Sequence, residues 1–149
     1  MSYQDDDTQH HLGHLVRLAQ QIHTRMWTNE VSSDVTSPQF LLLSVLANSP
    51  DIDQRRATEG ANLDRSTGAE LIARLADKGL ITRHRDPRDR RRFLLQLSPA
   101  GTELVQRLRP AIRSLHQKML ELVPEEHRAA FLAGMESFVQ AGDTTVPIP

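Results

Sequence analysis

Cysteine is absent from the 149 residues. That single absence removes disulfide frameworks, thiolate zinc sites, iron–sulfur ligation and thiol-based redox sensing. Long apolar runs are missing too: none approaches the roughly 20 residues that a helix needs to cross a bilayer. The first ten residues are acidic and polar, unlike a secretory signal. No Gly-rich phosphate loop, nucleophile motif or carboxylate pair beside a credible base occurs, so an enzyme is not expected. A cytoplasmic protein with no cofactor and no membrane partner is the expectation, and the chain is long enough to bury a core without disulfides.

There is also no excess of one charge, the formal net being −1. The distribution says more than the sum. Residues 1–50 carry two basic and five acidic groups, whereas residues 65–92 carry nine basic and four acidic, a net of +5. An acidic start and a basic middle imply one surface built for a polyanion.

Residues 1–9 have no apolar period and should fray. From His10, the residues Leu12, Leu15, Val16, Ala19, Ile22 and Met26 recur at three- and four-residue steps, predicting a helix to about Glu30. It has more apolar surface than a small core requires and suits half of a dimer interface. Ser37 and Pro38 read as cap and first position of a second helix. Its Phe40–Ala47 stretch is apolar nearly all round and should be central. Asp53 caps a short helix over residues 54–61, with Asn62 as a left-handed exit. Asp64 caps another, running to about Lys78 and ended by Gly79, with Leu71, Ile72 and Leu75 facing inward. Two short strands fill residues 81–97. Ser98 and Pro99 then open a long helix striped by Leu104, Val105, Leu108, Ile112, Leu115, Met119 and Leu122, which Pro110 should kink. A last helix from Pro124 carries Phe131, Leu132, Met135, Phe138 and Val139 and should stop at Gly142, leaving residues 143–149 as a tail.

A short helix, a tight turn and the helix from Asp64 have helix-turn-helix geometry. A recognition helix entering a major groove needs short polar side chains near its start, and Ser66 and Thr67 supply them. Arg65 and Arg74 reach guanine edges or phosphates, and Glu70 can accept from cytosine. Arg55 and Arg83 flank this helix as further contacts. A cation at the hairpin tip fits a narrow minor groove, and Arg88, Arg90 and Arg91 are the candidates. Asp86 and Asp89 are expected to brace neighbouring guanidinium groups and so fix the tip. Gly68 lies on what reads as an exposed face, where a missing side chain would admit a DNA backbone. His10 and His14 have helical i, i+4 spacing, but without further spaced ligands no metal site is expected.

The phrases Asp64-Arg65-Ser66-Thr67, Leu75-Ala76-Asp77-Lys78-Gly79-Leu80-Ile81-Thr82-Arg83, Asp86-Pro87-Arg88-Asp89-Arg90-Arg91 and Leu97-Ser98-Pro99-Ala100-Gly101 resemble the MarR family of winged-helix transcription regulators. The order of helices along essentially the whole chain fits as well. The resemblance implies a mainly α fold: a winged helix-turn-helix with a two-stranded β-wing over residues 36–97, and terminal helices (1–35 and 98–149) forming a dimerisation region. It implies a homodimer on double-stranded DNA with a palindromic operator, most often as a repressor. The sequence looks most like the branch that responds to aromatic acids. For such an effector, Arg17 would clamp a carboxylate, His23 would take a ring hydroxyl, and Trp27 with Phe40 would wall the pocket. Two other readings remain open here, a sequence-independent architectural DNA-binding protein and a repressor without effector.

Overall fold

A computed structural model describes the backbone of residues 3–145 and the side chains of residues 11–142. Its elements, in chain order, are α1 (Tyr3–Glu30), α2 (Ser37–Asn48), β1 (Ile52–Asp53), α3 (Gln54–Gly60), α4 (Arg65–Asp77), β2 (Ile81–Arg85), β3 (Phe93–Leu97), α5 (Pro99–Glu121) and α6 (Glu125–Thr145). The fold is mainly α with a small antiparallel sheet, as a winged helix requires.

α2 is central because its apolar residues leave no polar face. Leu42, Leu43 and Leu46 are at most 1% exposed, and around them pack Ala57 and Ala61, Ile72 and Leu75, Ile81 and Leu95, and Leu104, Val105 and Leu108. Each buried leucine contributes about 2–3 kcal/mol of transfer free energy. Leu41, on the far side of the same helix, stays exposed. The helix is capped by Thr36 rather than by Ser37. The Thr36 hydroxyl accepts from Gln39 N, and the Gln39 side chain accepts from Thr36 N at 3.0 Å, a reciprocal capping box. Gln39 sits three residues after Thr36, the capping-box spacing, whereas the residue three after Ser37 is Phe40, which has no group to complete the box.

The remaining signals resolve mostly as local chemistry dictates. Asp53, Asp64 and Ser98 each accept an amide from the first turn of α3, α4 and α5. Asn62 takes a positive φ of 51° and Gly79 one of 72°. Ser98 also donates to Gly79 O at 2.6 Å, tying the start of α5 to the exit of α4. Gly101 is required there: a Cβ on it would stand 2.1 Å from Leu80 O.

Four expectations are corrected. α1 begins at Tyr3 rather than at His10, since no proline or glycine interrupts residues 3–9; residues 1 and 2 lie outside the described residues. α6 runs through Gly142 to Thr145, because one interior glycine costs only about 1 kcal/mol and no proline follows until Pro147; the expected tail beyond residue 145 lies outside the described residues. The sheet has three strands, order β1-β3-β2, with Ile52 opposite Leu95 and Asp53 opposite Leu94. Gly68, finally, is buried against α3 and not exposed: its ideal Cβ would stand 2.2 Å from Thr58 Cγ2. α5 continues through Pro110. Among the described residues no helix is long and apolar enough to cross a membrane.

Candidate nucleic-acid interface and effector cleft

α3, the turn at residues 61–64 and α4 form the helix-turn-helix, and the absence of a side chain at Gly68 lets the two helices cross closely at Thr58. The start of α4 is heavily braced. Asp64 Oδ1 accepts from Thr67 N at 2.9 Å, and Oδ2 accepts from the Thr67 hydroxyl at 2.5 Å. Those two bonds, hydroxyl first, hold the Asp64 carboxyl below the ordinary carboxylate range. Thr67 is half-buried and its hydroxyl proton is committed to the cap. Arg65 and Ser66 are exposed beside it. One turn on, Arg74 Nη2 donates to Glu70 Oε1 at 2.5 Å with both side chains about 60% exposed. Such a pair adds little stability, and it pre-orients both groups on the outward face of α4. Arg55 is exposed and pairs loosely with Glu59 at 3.8 Å, while Arg83 Nη2 donates to Gln54 Oε1 at 3.4 Å.

The wing is a hairpin of β2 and β3 whose tip is held by backbone turns. Asp86 Oδ1 accepts from Arg88 N at 2.9 Å, and Asp89 Oδ1 accepts from Arg91 N at 3.0 Å. The two aspartates therefore brace amides, not the guanidinium groups expected from the sequence, because a side chain this short reaches the amide two residues on. The guanidinium brace comes from Arg85, which donates to Arg90 O at 2.5 Å and lies 4.5 Å over the Phe93 ring. With the acids so engaged, Arg88, Arg90 and Arg91 are exposed, and among the described residues no carboxylate pairs with them. Unpaired cations on a rigid tip can neutralise phosphates or enter a minor groove without first breaking a bond.

The pairing of Asp53 with Arg92 is a contact that the sequence did not announce beyond the Asp53 cap. Arg92 pairs with Asp53 across the root of the wing. The Arg56 amide bond and then Arg92 depress the Asp53 pKa against the opposing effect of burial. The only sequence signal was a third arginine in the Arg90-Arg91-Arg92 run, which periodicity cannot assign.

On the opposite side, Trp27 is 4% exposed, donates through Nε1 to Val35 O at 2.7 Å, and lies 5.9 Å from the Phe40 ring and 6.2 Å from the His23 ring. His23 and Trp27 border a cleft of about 90 Å³ with Ser32, Thr36 and Ser37. Burial, and then the charge of His116 on α5, push the His23 pKa down. The ring is thus neutral near pH 7 and can both donate and accept. Trp27 lies against both His23 and Phe40, but Phe40 does not border the cleft, and Arg17 stands apart from it, exposed and donating to His14 Nδ1 at 3.0 Å. The side chain of His10 lies outside the described residues, and among those described no cluster could hold a metal.

A further feature concerns α1 and α6. Leu12, Leu15, Val16 and Ile22 of α1 and Phe131, Leu132, Met135, Phe138 and Val139 of α6 are between 36% and 57% exposed. An apolar cleft of about 610 Å³ runs between α1, α5 and α6, bordered by Ile22, Leu120 and Phe131.

Comparison with known proteins agrees with this geometry. A model of the MarR family matches residues 33–92. The chain is 30% identical over 128 residues to the transcriptional regulator HosA of Escherichia coli O111:H-, covering 86% of this chain and 94% of that protein. Among solved structures it is similar to the PcaV transcriptional regulator of Streptomyces coelicolor in complex with its natural ligand. There the identity is 38%, the TM-score 0.79, and the coverage 87% of this chain and 92% of that one. It is also similar to Bordetella bronchiseptica BpsR, whose DNA binding is regulated by 6-hydroxynicotinic acid, at 25% identity, TM-score 0.75 and coverage of 87% and 98%. These relatives are regulators rather than enzymes. A helix-turn-helix with an exposed polar recognition face, a wing loaded with unpaired arginines and a similarity that spans the chain place this protein in the MarR family of DNA-binding transcriptional regulators.

Proposed function

We propose that the protein is a homodimeric, sequence-specific repressor that binds a palindromic operator and is released by a small aromatic carboxylate. The observation that carries the dimer is the uncovered apolar surface on α1 and α6. Nine large apolar side chains on two terminal helices exceed what a monomer normally leaves in water. A second copy, joined across residues 1–35 and 98–149, would cover them with the roughly 800 Å² per partner of a stable interface. Residues 36–97 of each protomer would then read one half-site each, with two-fold symmetry in the protein mirrored in the operator. Arg65, Ser66, Thr67, Glu70 and Arg74 would choose sequence, and Arg55, Arg83, Arg88, Arg90 and Arg91 would supply phosphate and minor-groove contacts.

The effector reading rests on the neutral His23 beside the Trp27–Phe40 ring pair, and on PcaV and BpsR, which are described with a natural ligand and with an aromatic acid. Ligand in that cleft would favour a dimer whose wings no longer match the half-site spacing. One observation favours an effector-independent repressor instead: the cleft is about 90 Å³, against about 300 Å³ or more for ordinary ligand pockets. Sedimentation equilibrium tests the dimer. Wild type should sediment at twice its chain mass at micromolar concentration, and Phe131→Glu with Val139→Glu should sediment as a folded monomer that no longer binds DNA. A monomeric wild type that still binds DNA tightly sinks the proposal.

A further inference from the structure

Arg92 closes the wing with its backbone and anchors it with its side chain. Its N donates to Asp89 O at 2.9 Å, and its O accepts from Asp86 N at 3.0 Å, the last rung before the tip. The guanidinium turns back onto Asp53 Oδ2, 39 residues earlier in the chain. Asp53 Oδ1 meanwhile accepts from Arg56 N at 2.9 Å and caps α3. One carboxylate therefore joins the wing to the first turn of the helix-turn-helix.

Little else fixes the wing at this point. Sheet support from β1 ends at Asp53 opposite Leu94, so Arg92 belongs to the part of the hairpin with no strand beside it. Between β1 and the tip lies an open space of about 490 Å³ bounded by Asp51, Arg56, His84, Arg88 and Arg92. Two weaker links cross nearby, His84 Nε2 to Asp51 Oδ1 at 3.1 Å and Arg83 to Gln54 at 3.4 Å. The Asp53 side chain is 18% exposed against 54% for Asp51, so its pair is the less screened by solvent.

We propose that Asp53 is a positioning residue for DNA binding: through Arg92 it fixes the angle of the wing to α4, so that one DNA segment meets both at once. Asp53 does not touch DNA. It removes an ordering cost that binding would otherwise carry.

The test is a mutant cycle against a duplex selected from randomised DNA by the wild-type protein. Asp53→Asn keeps a good cap and loses the charge, so melting should move by no more than about 3 °C while affinity falls about 5- to 10-fold. Arg92→Gln should reproduce that loss with the cap intact, and the double variant should be no worse than either. Arg90→Ala should cost at least about 3-fold less in the Asp53→Asn background than in wild type, although Arg90 and Asp53 do not meet. A merely structural role for Asp53 would not produce that coupling. An equal Arg90→Ala penalty in both backgrounds overturns the proposal. So does tighter, more salt-dependent binding by Asp53→Asn, which would make Arg92 a phosphate ligand that Asp53 holds back.

Discussion

Gly68→Ala sets two opposed expectations for one methyl group. On an exposed helix position the change would stabilise the protein by about 0.5–1 kcal/mol, since alanine is the better helix former. At this position the new Cβ would stand 2.2 Å from Thr58 Cγ2, 2.4 Å from Oγ1 and 2.8 Å from Cβ. Thr58 is 5% exposed, and its hydroxyl donates to Gln54 O at 2.8 Å. Rotating a β-branched side chain cannot move its own Cβ, so α3 and α4 must part. Overpacking of this kind costs about 1–3 kcal/mol, and the helix-propensity gain offsets up to about 1 of it. The net is a loss of up to about 2 kcal/mol, or a melting temperature lower by up to roughly 8 °C for a chain of this size. Urea denaturation followed by circular dichroism reads the difference directly. Thr58→Ala removes the two nearest atoms, so Gly68→Ala should cost at least about 1 kcal/mol less in that background. A stabilised Gly68→Ala would refute the close crossing of the two helices.

Two further outcomes follow from the effector side. An aromatic carboxylate should bind wild type in about the micromolar range, and calorimetry on His23→Gln should show at least a tenfold loss; an unchanged affinity removes His23 from the site. Because the folded pKa of His23 is lowered, the unfolded chain takes up a proton that the folded chain resists. Stability should thus be flat above about pH 6.5, the ordinary imidazole value, and fall as the pH drops below it. Asp53 and Asp64, also lowered, add a second loss only as the pH falls through their ordinary value of 3.8. Melting curves for His23→Gln should lose the first decline and keep the second.

The parts of the fold that were legible in the sequence are those set by residues a few positions apart. Asp53, Asp64 and Ser98 announce helix starts because a cap and its amide are three residues apart, and Asn62 and Gly79 announce exits because few residues accept a positive φ. Periodicity located the buried face of α4 and that of α5 as far as Leu115, though Leu122 of the same stripe is exposed, and a continuous apolar run marked α2 as central. What escaped depends on distant partners. β1 is two residues long and exists only through Leu94 and Leu95, so no pattern marks it. Gly68 reads as exposed until Thr58 is placed against it. The exposed recognition face and wing arginines could be named from type and spacing, but the Asp53–Arg92 link spans 39 residues and has no local signature. Arg17 meets His14 and does not border the His23–Trp27 cleft, an outcome that helical angle alone could not give, since it does not say which neighbour a long side chain meets.

Whether paired winged helices read a two-fold operator is decided by selecting ligands from randomised duplex DNA at fixed salt and measuring the winner against scrambled sequence. The selected ligand should be an inverted repeat with half-sites about one helical turn apart, bound at least about 10³-fold more tightly than non-specific DNA. Failure to enrich any repeat, with one affinity for all sequences and a steep salt slope, would contradict it and leave phosphate attraction alone.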